Sequence, residues 1–404
     1  MKRRKITRRR LLQAGAGLAV GEAVAAEAAP AKPDVYQALG VKHVINAAGT
    51  LTTLGGSLMP PEVAAAWVEA SKHFVDLYDL HNKVGAKIAQ LIGVEAALVT
   101  TGAAGALLLA TAAAVTRGDA AKVKRLPDTS DMKNEVLMQK THHTCYDNQL
   151  TDVGVKLIDV ETTADVEKSI GERTALMLYM NLAADDGKIG RAEWIELARR
   201  FRVPTLLDAA ADVPPVERLS EYTHMGFDMV AFSGGKALRG PNDTGLLLGR
   251  KELIEAGKKN TNPHCGVIGR MMKVGKEDMI ALLAAVERFL KVDHQAERRE
   301  FGRRLDVIEA ALKGIPTLRA ERIVPPIANH FPHVLLFWDE QRLKLTPEQV
   351  TRKLAEGDPP VQLGRVRGTG DKGLLESVFT LQDGEEKIVA ERLREVLSAA
   401  ARGR

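Results

Sequence analysis

The stretch that decides the fold reads FSGGKALRGPNDTGLLLG and occupies residues 232–249. It continues an apolar run over 227–232 that is typical of a buried strand, and it contains a second apolar run over 245–248. Lys236 follows three small residues in the loop between these two predicted strands. An amine in such a loop, at a strand end and among small residues, can be approached closely by a flat aromatic aldehyde.

A second charged residue, Asp208, ends another apolar run, residues 203–207, which is also predicted to be a strand. A lysine that forms an imine and a buried aspartate that faces a pyridinium nitrogen are the two charged groups that pyridoxal phosphate needs from a protein. Taken alone, Lys236 is more typical of an ordinary surface lysine and Asp208 of a strand-end aspartate. Their combination predicts a pyridoxal-phosphate site.

A candidate phosphate site lies upstream, where residues 100–105 read TTGAAG between a predicted strand and a predicted helix. Free backbone N–H groups and the helix dipole favour an anion there, and Gly102 and Ala103 let a phosphate approach the backbone. Ser233 can add a hydroxyl. Dinucleotide binding is the rival interpretation, but the glycine spacing differs from the GxGxxG pattern that such sites require.

The net charge of +5 comes largely from the amino terminus, because residues 1–10 contain seven basic side chains. A weakly apolar stretch over 11–20 and small residues at 23–26 follow, which is the pattern of a secretory signal. Residues 7–13, TRRRLLQ, resemble a twin-arginine export signal. We therefore expect a signal peptide over 1–28 and a periplasmic or otherwise extracytoplasmic location. A cytoplasmic protein with a basic tail is the alternative.

Cleavage of this signal would leave the remaining chain close to neutral, so its charge gives no reason to expect nucleic acid as a partner. No apolar run reaches the roughly 18 residues of a membrane span. The two cysteines, Cys145 and Cys265, cannot form a disulfide framework and lack the CxxC spacing of a zinc or redox site. We therefore expect no metal.

Predicted strands and helices alternate from about residue 97 to residue 249, which favours a mainly parallel sheet with helices on both faces. The expected strands are 97–101, 135–140, 155–160, 174–180, 204–208, 227–232 and 245–248. Helical patterns are expected at 82–92, 103–115, 146–152, 163–170, 191–201, 250–257 and about 276–313. A length of 404 residues favours two domains, a large one over 36–300 and a small α+β one over 301–404.

Five segments resemble the selenocysteine synthase-like superfamily of fold-type-I pyridoxal-phosphate enzymes, most of all the branch named for D-glucosaminate-6-phosphate ammonia-lyase. They are VINAAGTLTTLGGSLMPPEV (44–63), LIGVEAALVTTGAAGAL (91–107), LLDAAADVPP (206–215), FSGGKALRGPNDTGLLLGRKELI (232–254) and IGRMMKVGKEDM (268–279). The resemblance implies an α/β fold of the pyridoxal-phosphate-dependent transferase type I, with a seven-stranded sheet. It also implies that Lys236 attaches the cofactor, that Asp208 faces the pyridinium nitrogen, and that Ala210 lies beside the ring.

The residue that stacks on the ring is expected within 141–146, where His142 and Tyr146 are the candidates for cofactor binding. His142 or His143 is expected to stack on the ring or to protonate a leaving hydroxyl, with His143 as the catalytic candidate, although paired histidines also occur in loops without a catalytic role. Arg270 is a candidate anchor for a substrate carboxylate or phosphate, and a surface arginine at a helix start is the alternative.

The glycine-rich segment 46–57 is expected to complete the site of a second subunit, with Asn46 and Thr50 as substrate-binding residues. We therefore expect a homodimer or a higher homo-oligomer. The expected function is a lyase that eliminates and deaminates an amino acid, an amino sugar acid or a phosphorylated relative. A selenocysteine synthase-like transferase or an aminotransferase is the first alternative, and a catalytically inactive binding protein of the same fold is the second.

Overall fold

The computed structural model describes residues 34–364 and 373–403, so the predicted signal peptide over 1–28 lies outside the described residues. The chain divides into two units at residue 43. The described part of the first unit contains the 3₁₀ turn Gln37–Leu39, which ends at Gly40 in a left-handed conformation. The second unit begins at Val44 and contains the strands and α-helices described below.

The described part of the chain contains twelve β-strands. They are β1 (Ile45–Ala47), β2 (Ala96–Thr101), β3 (Glu135–Gln139), β4 (Lys156–Val160), β5 (Thr174–Met180), β6 (Thr205–Asp208), β7 (Met229–Ser233), β8 (Thr244–Gly249), β9 (Arg319–Ile323), β10 (His333–Phe337), β11 (Val361–Leu363) and β12 (Leu374–Ser377).

Strands β2 to β8 form a seven-stranded sheet in the order β2-β8-β7-β6-β5-β3-β4. The pairs among β3 to β7 are parallel, and β8 alone runs antiparallel to both of its neighbours, β2 and β7. This sheet confirms the predicted α/β class, and each of its strands overlaps a run of residues that the apolar pattern had predicted. The carboxyl ends of β5, β6 and β7 therefore lie at one edge of the sheet.

Helices cover both faces of this sheet, because successive side chains of its strands enter two different apolar clusters. On β2, Leu98 belongs to the cluster that contains the helix residue Leu107, whereas Val99 belongs to the cluster that contains Trp194. The α-helices are α1 (Pro61–Ser71), α2 (Leu77–Ile92), α3 (Gly102–Thr116), α4 (Ala120–Arg125), α5 (Asn148–Thr151), α6 (Thr163–Ser169), α7 (Arg191–Phe201), α8 (Arg218–Met225), α9 (Lys251–Lys259), α10 (Lys276–Phe289), α11 (His294–Leu312), α12 (Glu340–Leu343), α13 (Pro347–Ala355) and α14 (Glu385–Ala401).

Two helical predictions differ from the structure for local reasons. The helical pattern over 276–313 is divided into α10 and α11, because the side chain of Asp293 accepts a hydrogen bond from the N–H of Ala296 and starts a new helix. Helix α2 begins five residues before the predicted position of 82. There the carboxylate of Asp76 accepts hydrogen bonds from the N–H groups of Tyr78 and Asp79.

A second, smaller sheet lies in the carboxyl-terminal region. Strands β9, β10 and β12 form an antiparallel sheet in the order β12-β10-β9. Near the beginning of the chain, β1 pairs in parallel with β11, so that Ile45 lies beside Val361 and Ala47 beside Leu363. Among the described helices, none is both long enough and apolar enough to cross a membrane. The boundary predicted at residue 300 stays a prediction.

Candidate active site

The loop that carries Lys236 begins where β7 ends and is fixed by the backbone of the neighbouring strand. The N–H of Gly234 donates to the carbonyl of Thr244 at 2.8 Å, and the N–H of Gly240 donates to the carbonyl of Gly234 at 2.9 Å. A Cβ atom on Gly235 would lie 2.4 Å from the Cα of Asn242, so only glycine fits there. The small residues before Lys236 are therefore a packing requirement of this loop.

An early segment of the chain holds the same loop from the other side. The hydroxyl of Ser57 lies 2.9 Å from the carbonyl oxygen of Gly235 and 2.7 Å from that of Lys236, and it can donate to either. The N–H of Ser57 also donates to the carbonyl of Gly235 at 3.0 Å. The backbone at Lys236 is therefore held in place by residues far apart in the sequence.

Asp208 ends β6 at the edge of the sheet where β7 also ends, and it is only 7% exposed. One of its carboxylate oxygens accepts a hydrogen bond of 2.9 Å from the N–H of Ala210. Burial raises the pKa of Asp208, and the hydrogen bond from Ala210 and the charge of Lys236 partly offset this rise. A cation that approaches the Asp208 carboxylate is therefore favoured, because few other groups already bind this carboxylate.

Burial also acts on the amine. It lowers the pKa of Lys236, and the negative charges of Asp208 and Asp212 oppose this shift. A lowered pKa leaves more of the amine neutral at neutral pH, and the neutral form is the one that attacks a carbonyl or accepts a proton.

The predicted phosphate site is the first turn of α3, directly after β2. Gly102 opens this helix with a φ of 65°, and no side chain caps its N–H groups. A Cβ atom on Gly245 of β8 would lie 2.3 Å from the carbonyl carbon of Gly102, so strand and helix approach more closely than larger residues allow. The uncapped N–H groups and the positive end of the helix dipole suit a phosphate.

A cavity of about 470 Å³ joins these groups. Eight of the residues proposed from the sequence line it: Thr50, Gly102, Ala103, Tyr146, Asp208, Ala210, Ser233 and Lys236. Tyr146 is the aromatic residue of the predicted stacking loop that lines the cavity, and burial and the neighbouring Cys145 and Asp208 raise its pKa. One amine, one buried carboxyl and one uncapped helix terminus around one cavity fit pyridoxal phosphate, whose aldehyde, pyridine nitrogen and phosphate need these three partners.

His142 does not line this cavity, and its proposed role in cofactor binding stays a prediction. The 3₁₀ turn Lys140–His142 after β3 directs its ring into the core, where it is fully buried. The ring accepts a hydrogen bond of 3.2 Å from the N–H of Met180 and packs edge-on against Tyr179, with 4.7 Å between the ring centroids.

His143 also lies outside the cavity lining, although it belongs to the same loop. Its Nδ1 atom is 2.5 Å from a carboxylate oxygen of Asp147, and its Nε2 atom is 2.7 Å from one of Asp159. These two carboxylates engage both ring nitrogens, and the hydrogen bond that the ring donates to Asp147 is the main cause of the raised pKa of His143. The ring therefore stabilises the loop that carries Tyr146, and this geometry does not support proton transfer to a substrate in the cavity.

Two proposed substrate residues also lie apart from the cavity lining. The amide of Asn46 bonds within its own turn, donating to the carbonyl of Gly49 at 3.0 Å and accepting from the N–H of Ala48 at 3.0 Å. Arg270 is exposed, and its proposed anchoring role stays a prediction. The lining also contains residues that the sequence analysis did not single out as site residues: Thr52, Thr101, Ala104, Leu107, Asn242 and Asp243. Their positions inside the quoted glycine-rich segments were the available signal.

A buried polar cluster next to Asp208 was also missed. Asp212 is 2% exposed and accepts a hydrogen bond of 2.9 Å from the hydroxyl of Tyr222 and another from the amide of Asn181. Burial raises its pKa. The short spacing between Asp208 and Asp212 gave no sign of this cluster, because its donors come from distant parts of the chain.

Comparisons with known proteins identify the family of this chain. The family model described as aminotransferase class-V matches residues 63–271. D-glucosaminate-6-phosphate ammonia lyase of Salmonella typhimurium is 31% identical over 385 residues, which cover 91% of this chain and 99% of that protein. A 5'-C-glycyluridine monooxygenase-decarboxylase of Streptomyces sp is 30% identical, with 90% of this chain and 92% of that protein covered.

Solved structures support the same assignment. The structure of D-glucosaminate-6-phosphate ammonia-lyase superposes with a TM-score of 0.79 at 30% identity and covers 92% of this chain and 100% of that one. These findings confirm the resemblance drawn from the five sequence segments and the expected cofactor, pyridoxal phosphate. The chain belongs to the aminotransferase class-V family and is a fold-type-I, pyridoxal-phosphate-dependent enzyme.

Proposed function

We propose that this enzyme is a lyase that removes ammonia from a phosphorylated amino sugar acid with a hydroxyl group at Cβ. The observation that carries the proposal is the match over nearly the whole chain to an ammonia lyase acting on such a compound, together with a cavity containing Lys236 and Asp208. Fold alone would not select this reaction, because one fold supports many chemistries.

Pyridoxal phosphate, when bound, supplies a sink for the electron pair that remains at the substrate Cα after proton loss. Lys236 is the residue that would take the Cα proton, since its lowered pKa increases the neutral fraction of its amine. Asp208 would hold a proton at the pyridine nitrogen of the cofactor. The N–H groups at the start of α3 would orient the cofactor through its phosphate.

The expected reaction conserves all atoms of the substrate. The Cα proton goes to Lys236, and the hydroxyl group leaves Cβ and takes up one proton, so that one water is lost. Cβ then gains one proton at the expense of the amino nitrogen, a water supplies the carbonyl oxygen at Cα, and one ammonia and one 2-keto acid leave. The product pair therefore has the composition of the substrate.

The polar lining of the cavity supports a substrate with several hydroxyl groups. The lining includes hydroxyl, amide and carboxyl groups from Thr50, Thr52, Asn242 and Asp243. Thr50 is only 8% exposed, and its hydroxyl lies 3.5 Å from the amide oxygen of Asn329. A sugar-derived chain can exchange hydrogen bonds with these groups, whereas a short amino acid would leave them without partners.

The experiment is a substrate screen with the cofactor-loaded protein. D- and L-β-hydroxy amino acids and amino sugar acids, including D-glucosaminate 6-phosphate, are supplied while keto acid, ammonia and carbon dioxide are measured. Equal amounts of keto acid and ammonia from a phosphorylated amino sugar acid are expected. Release of carbon dioxide, as the name of the Streptomyces relative suggests, would replace the proposal by a decarboxylase, and amino transfer to a keto acid would replace it by an aminotransferase.

We also infer that the working enzyme is at least a homodimer. Large apolar side chains are exposed along one early segment, among them Leu58 at 65%, Val68 at 53% and Phe74 at 103%. An exposed apolar surface of this kind is typical of a protein interface. Light scattering should give at least twice the mass of one chain, and an active monomer would contradict the inference.

Export by the twin-arginine route remains our proposal for location. The sequence TRRRLLQ over 7–13 and the weakly apolar stretch after it support the proposal. Replacing Arg8, Arg9 and Arg10 together by lysine keeps the charge but removes the guanidinium groups. We expect this variant to remain in the cytoplasm with its leader attached. A wild-type protein found only in the cytoplasm with residues 1–25 retained would contradict the proposal.

A further inference from the structure

A second cavity lies at the opposite end of the seven-stranded sheet from Lys236. It has a volume of about 490 Å³, and its lining includes Thr205, where β6 begins, and Asp228, which directly precedes β7. Arg250, which follows the last residue of the antiparallel strand β8, also lines it. The amino ends of β6 and β7 and the carboxyl end of β8 therefore surround this cavity, whereas Asp208 and Ser233 end the same parallel strands at the other edge.

Four arginines line this second cavity, and only one of them is neutralised. The guanidinium of Arg250 lies 3.2 Å from Asp228 and 2.8 Å from Glu252. In the described parts of the chain, no carboxylate lies within 4.0 Å of Arg117, Arg199 or Arg202, and no side-chain hydrogen bond ties down their guanidinium groups. The two carboxylates of the lining, Asp228 and Glu252, therefore both pair with Arg250, and the other three arginines have no carboxylate partner among the described residues.

Two of these arginines occupy backbone positions that favour glycine. Arg117 ends α3 with a φ of 50°, and Arg202 ends α7 with a φ of 56°, so both are helix caps in the left-handed region. Glycine adopts this conformation at the end of a helix without strain, whereas a side chain with a Cβ atom costs free energy there. An arginine near the carboxyl end of a helix also interacts favourably with the helix dipole. That interaction is available from any position in the last turn, so it does not explain why an arginine occupies the left-handed position itself.

The third arginine is accommodated by a glycine on a neighbouring loop. A Cβ atom on Gly226 would lie 3.0 Å from the Nη2 atom of Arg199 and 3.1 Å from the Cγ2 atom of Ile195. Val203 and Leu253 also line the cavity, as do Thr205 and the carboxylates of Asp228 and Glu252. The cavity thus combines a mixed polar and apolar lining with three unpaired guanidinium groups.

We propose that this second cavity binds a small polyanion of the phosphorylated-metabolite class. Guanidinium groups form paired hydrogen bonds with phosphate oxygens, and three of them can share the charges of one di- or polyphosphate. The volume suits a small molecule and excludes a folded partner. The proposal is independent of the reaction at Lys236, because the two cavities share no lining residue.

The experiment is calorimetric titration of the cofactor-loaded enzyme with pyrophosphate. Loading first fills the phosphate site at α3, and the visible absorption of the cofactor is followed to show that pyrophosphate does not displace it. We expect one saturable binding event that weakens as sodium chloride is raised, because exposed charges are screened by salt. Arg117→Gly and Arg202→Gly should each weaken binding about tenfold or more, since each removes a charged hydrogen-bond partner.

A matched control separates lost charge from relieved strain. Lys344 also caps a helix in the left-handed conformation, with a φ of 49°, and it does not line this cavity. Lys344→Gly should leave pyrophosphate binding unchanged. Absence of binding to the wild-type enzyme would overturn the proposal. Equal affinity in the wild type and the Arg117→Gly, Arg202→Gly double variant would also overturn it, as would a loss of cofactor absorption that parallels binding.

Discussion

Two regions of the molecule each bury a carboxyl group, and their surroundings differ. Asp208, at the edge of the seven-stranded sheet, accepts a hydrogen bond from Ala210 and feels the positive charge of Lys236. Glu376, in β12 of the small sheet, is completely buried, and neither of its carboxyl oxygens has a hydrogen-bond partner among residues 34–364 and 373–403. Burial raises the pKa of both carboxyls, and that of Glu376 rises to about 8 by burial alone.

The difference shows that a raised pKa does not by itself identify a catalytic group. In the described part of the chain, no hydrogen bond or charge offsets the effect of burial on the pKa of Glu376, but this residue lines neither of the two cavities described above. Asp208 has a cation, a cavity and an uncapped helix terminus beside it. The convergence of unlike groups on one cavity therefore identifies the site better than the size of any single shift.

The largest expected effect comes from removing Lys236, whose positive charge distinguishes the surroundings of Asp208 from those of Glu376. Lys236→Ala should reduce turnover by at least about 10⁴-fold, because it removes both the attachment amine and the general base. Borohydride reduction followed by peptide mapping should label Lys236 in the wild type and no peptide in the variant. Lys251→Ala, which changes an exposed lysine, is the control. Labelling of a different lysine in the wild type would contradict the assignment.

The next effect tests the two carboxyls against each other. Asp208→Asn should retain cofactor but lose about 10²-fold in turnover, since a neutral amide no longer holds the proton at the pyridine nitrogen. Glu376→Gln should leave turnover close to that of the wild type at a pH where both proteins are folded. Comparable losses in the two variants would show that burial, and not the position beside Lys236, explains the effect.

Glu376 should instead control stability. Its carboxyl is neutral in the folded protein up to about pH 8 but ionises near its ordinary pKa of 4.5 when the chain unfolds. The contribution of Glu376 to stability is therefore fully present below pH 4.5 and is lost as the pH rises towards 8. At pH 7 the loss in the free energy of unfolding is on the order of 3 kcal/mol.

Urea unfolding at pH 5 and pH 8 measures this effect. Glu376→Gln mimics the protonated carboxyl, so the variant should match the wild type near pH 5 and be the more stable of the two at pH 8. A difference between the two proteins that does not change with pH would rule out titration of Glu376 as the cause.

The smallest expected effect concerns an exposed ionisable group. His143 is 39% exposed between Asp147 and Asp159, and its pKa is raised. Its contribution to stability is present below pH 6.5 and is lost as the pH rises through the raised value. His143→Gln should therefore lower the free energy of unfolding by less than about 1 kcal/mol at pH 6, and the decrease at pH 9 should be smaller than the decrease at pH 6. A large loss of turnover at both pH values would restore a direct role in the reaction.

The sequence predicted the sheet well for a physical reason. Strands such as β5 and β7 are buried on both faces, so they appear as continuous apolar runs that end at polar or small residues. Because the carboxyl ends of parallel strands meet at one edge, Asp208 and Ser233 could be brought together from the strand order alone. The close packing around Gly102 and Gly235 was also visible in the composition of their segments.

Side-chain direction within loops and contacts between distant segments were not predictable in the same way. His142 and Tyr146 lie in one loop, and only the 3₁₀ turn after β3 decides that the first points into the core. The three unpaired arginines of the second cavity come from α3 and α7, and no local pattern connects them. The pairing of β1 with β11 also joins two segments that are separated by most of the chain.

That pairing has a consequence for the order of events during synthesis. Residues 45–47 leave the ribosome early but obtain their strand partner only when residues 361–363 have emerged. Thr50, which lies just after β1 and lines the cofactor cavity, is therefore positioned only when translation is nearly complete. Domains generally fold as units while the chain is being made. A nascent chain that has already formed the seven-stranded sheet would thus still lack one wall of its cofactor cavity. Tight binding of the cofactor would therefore begin only when the chain is nearly complete.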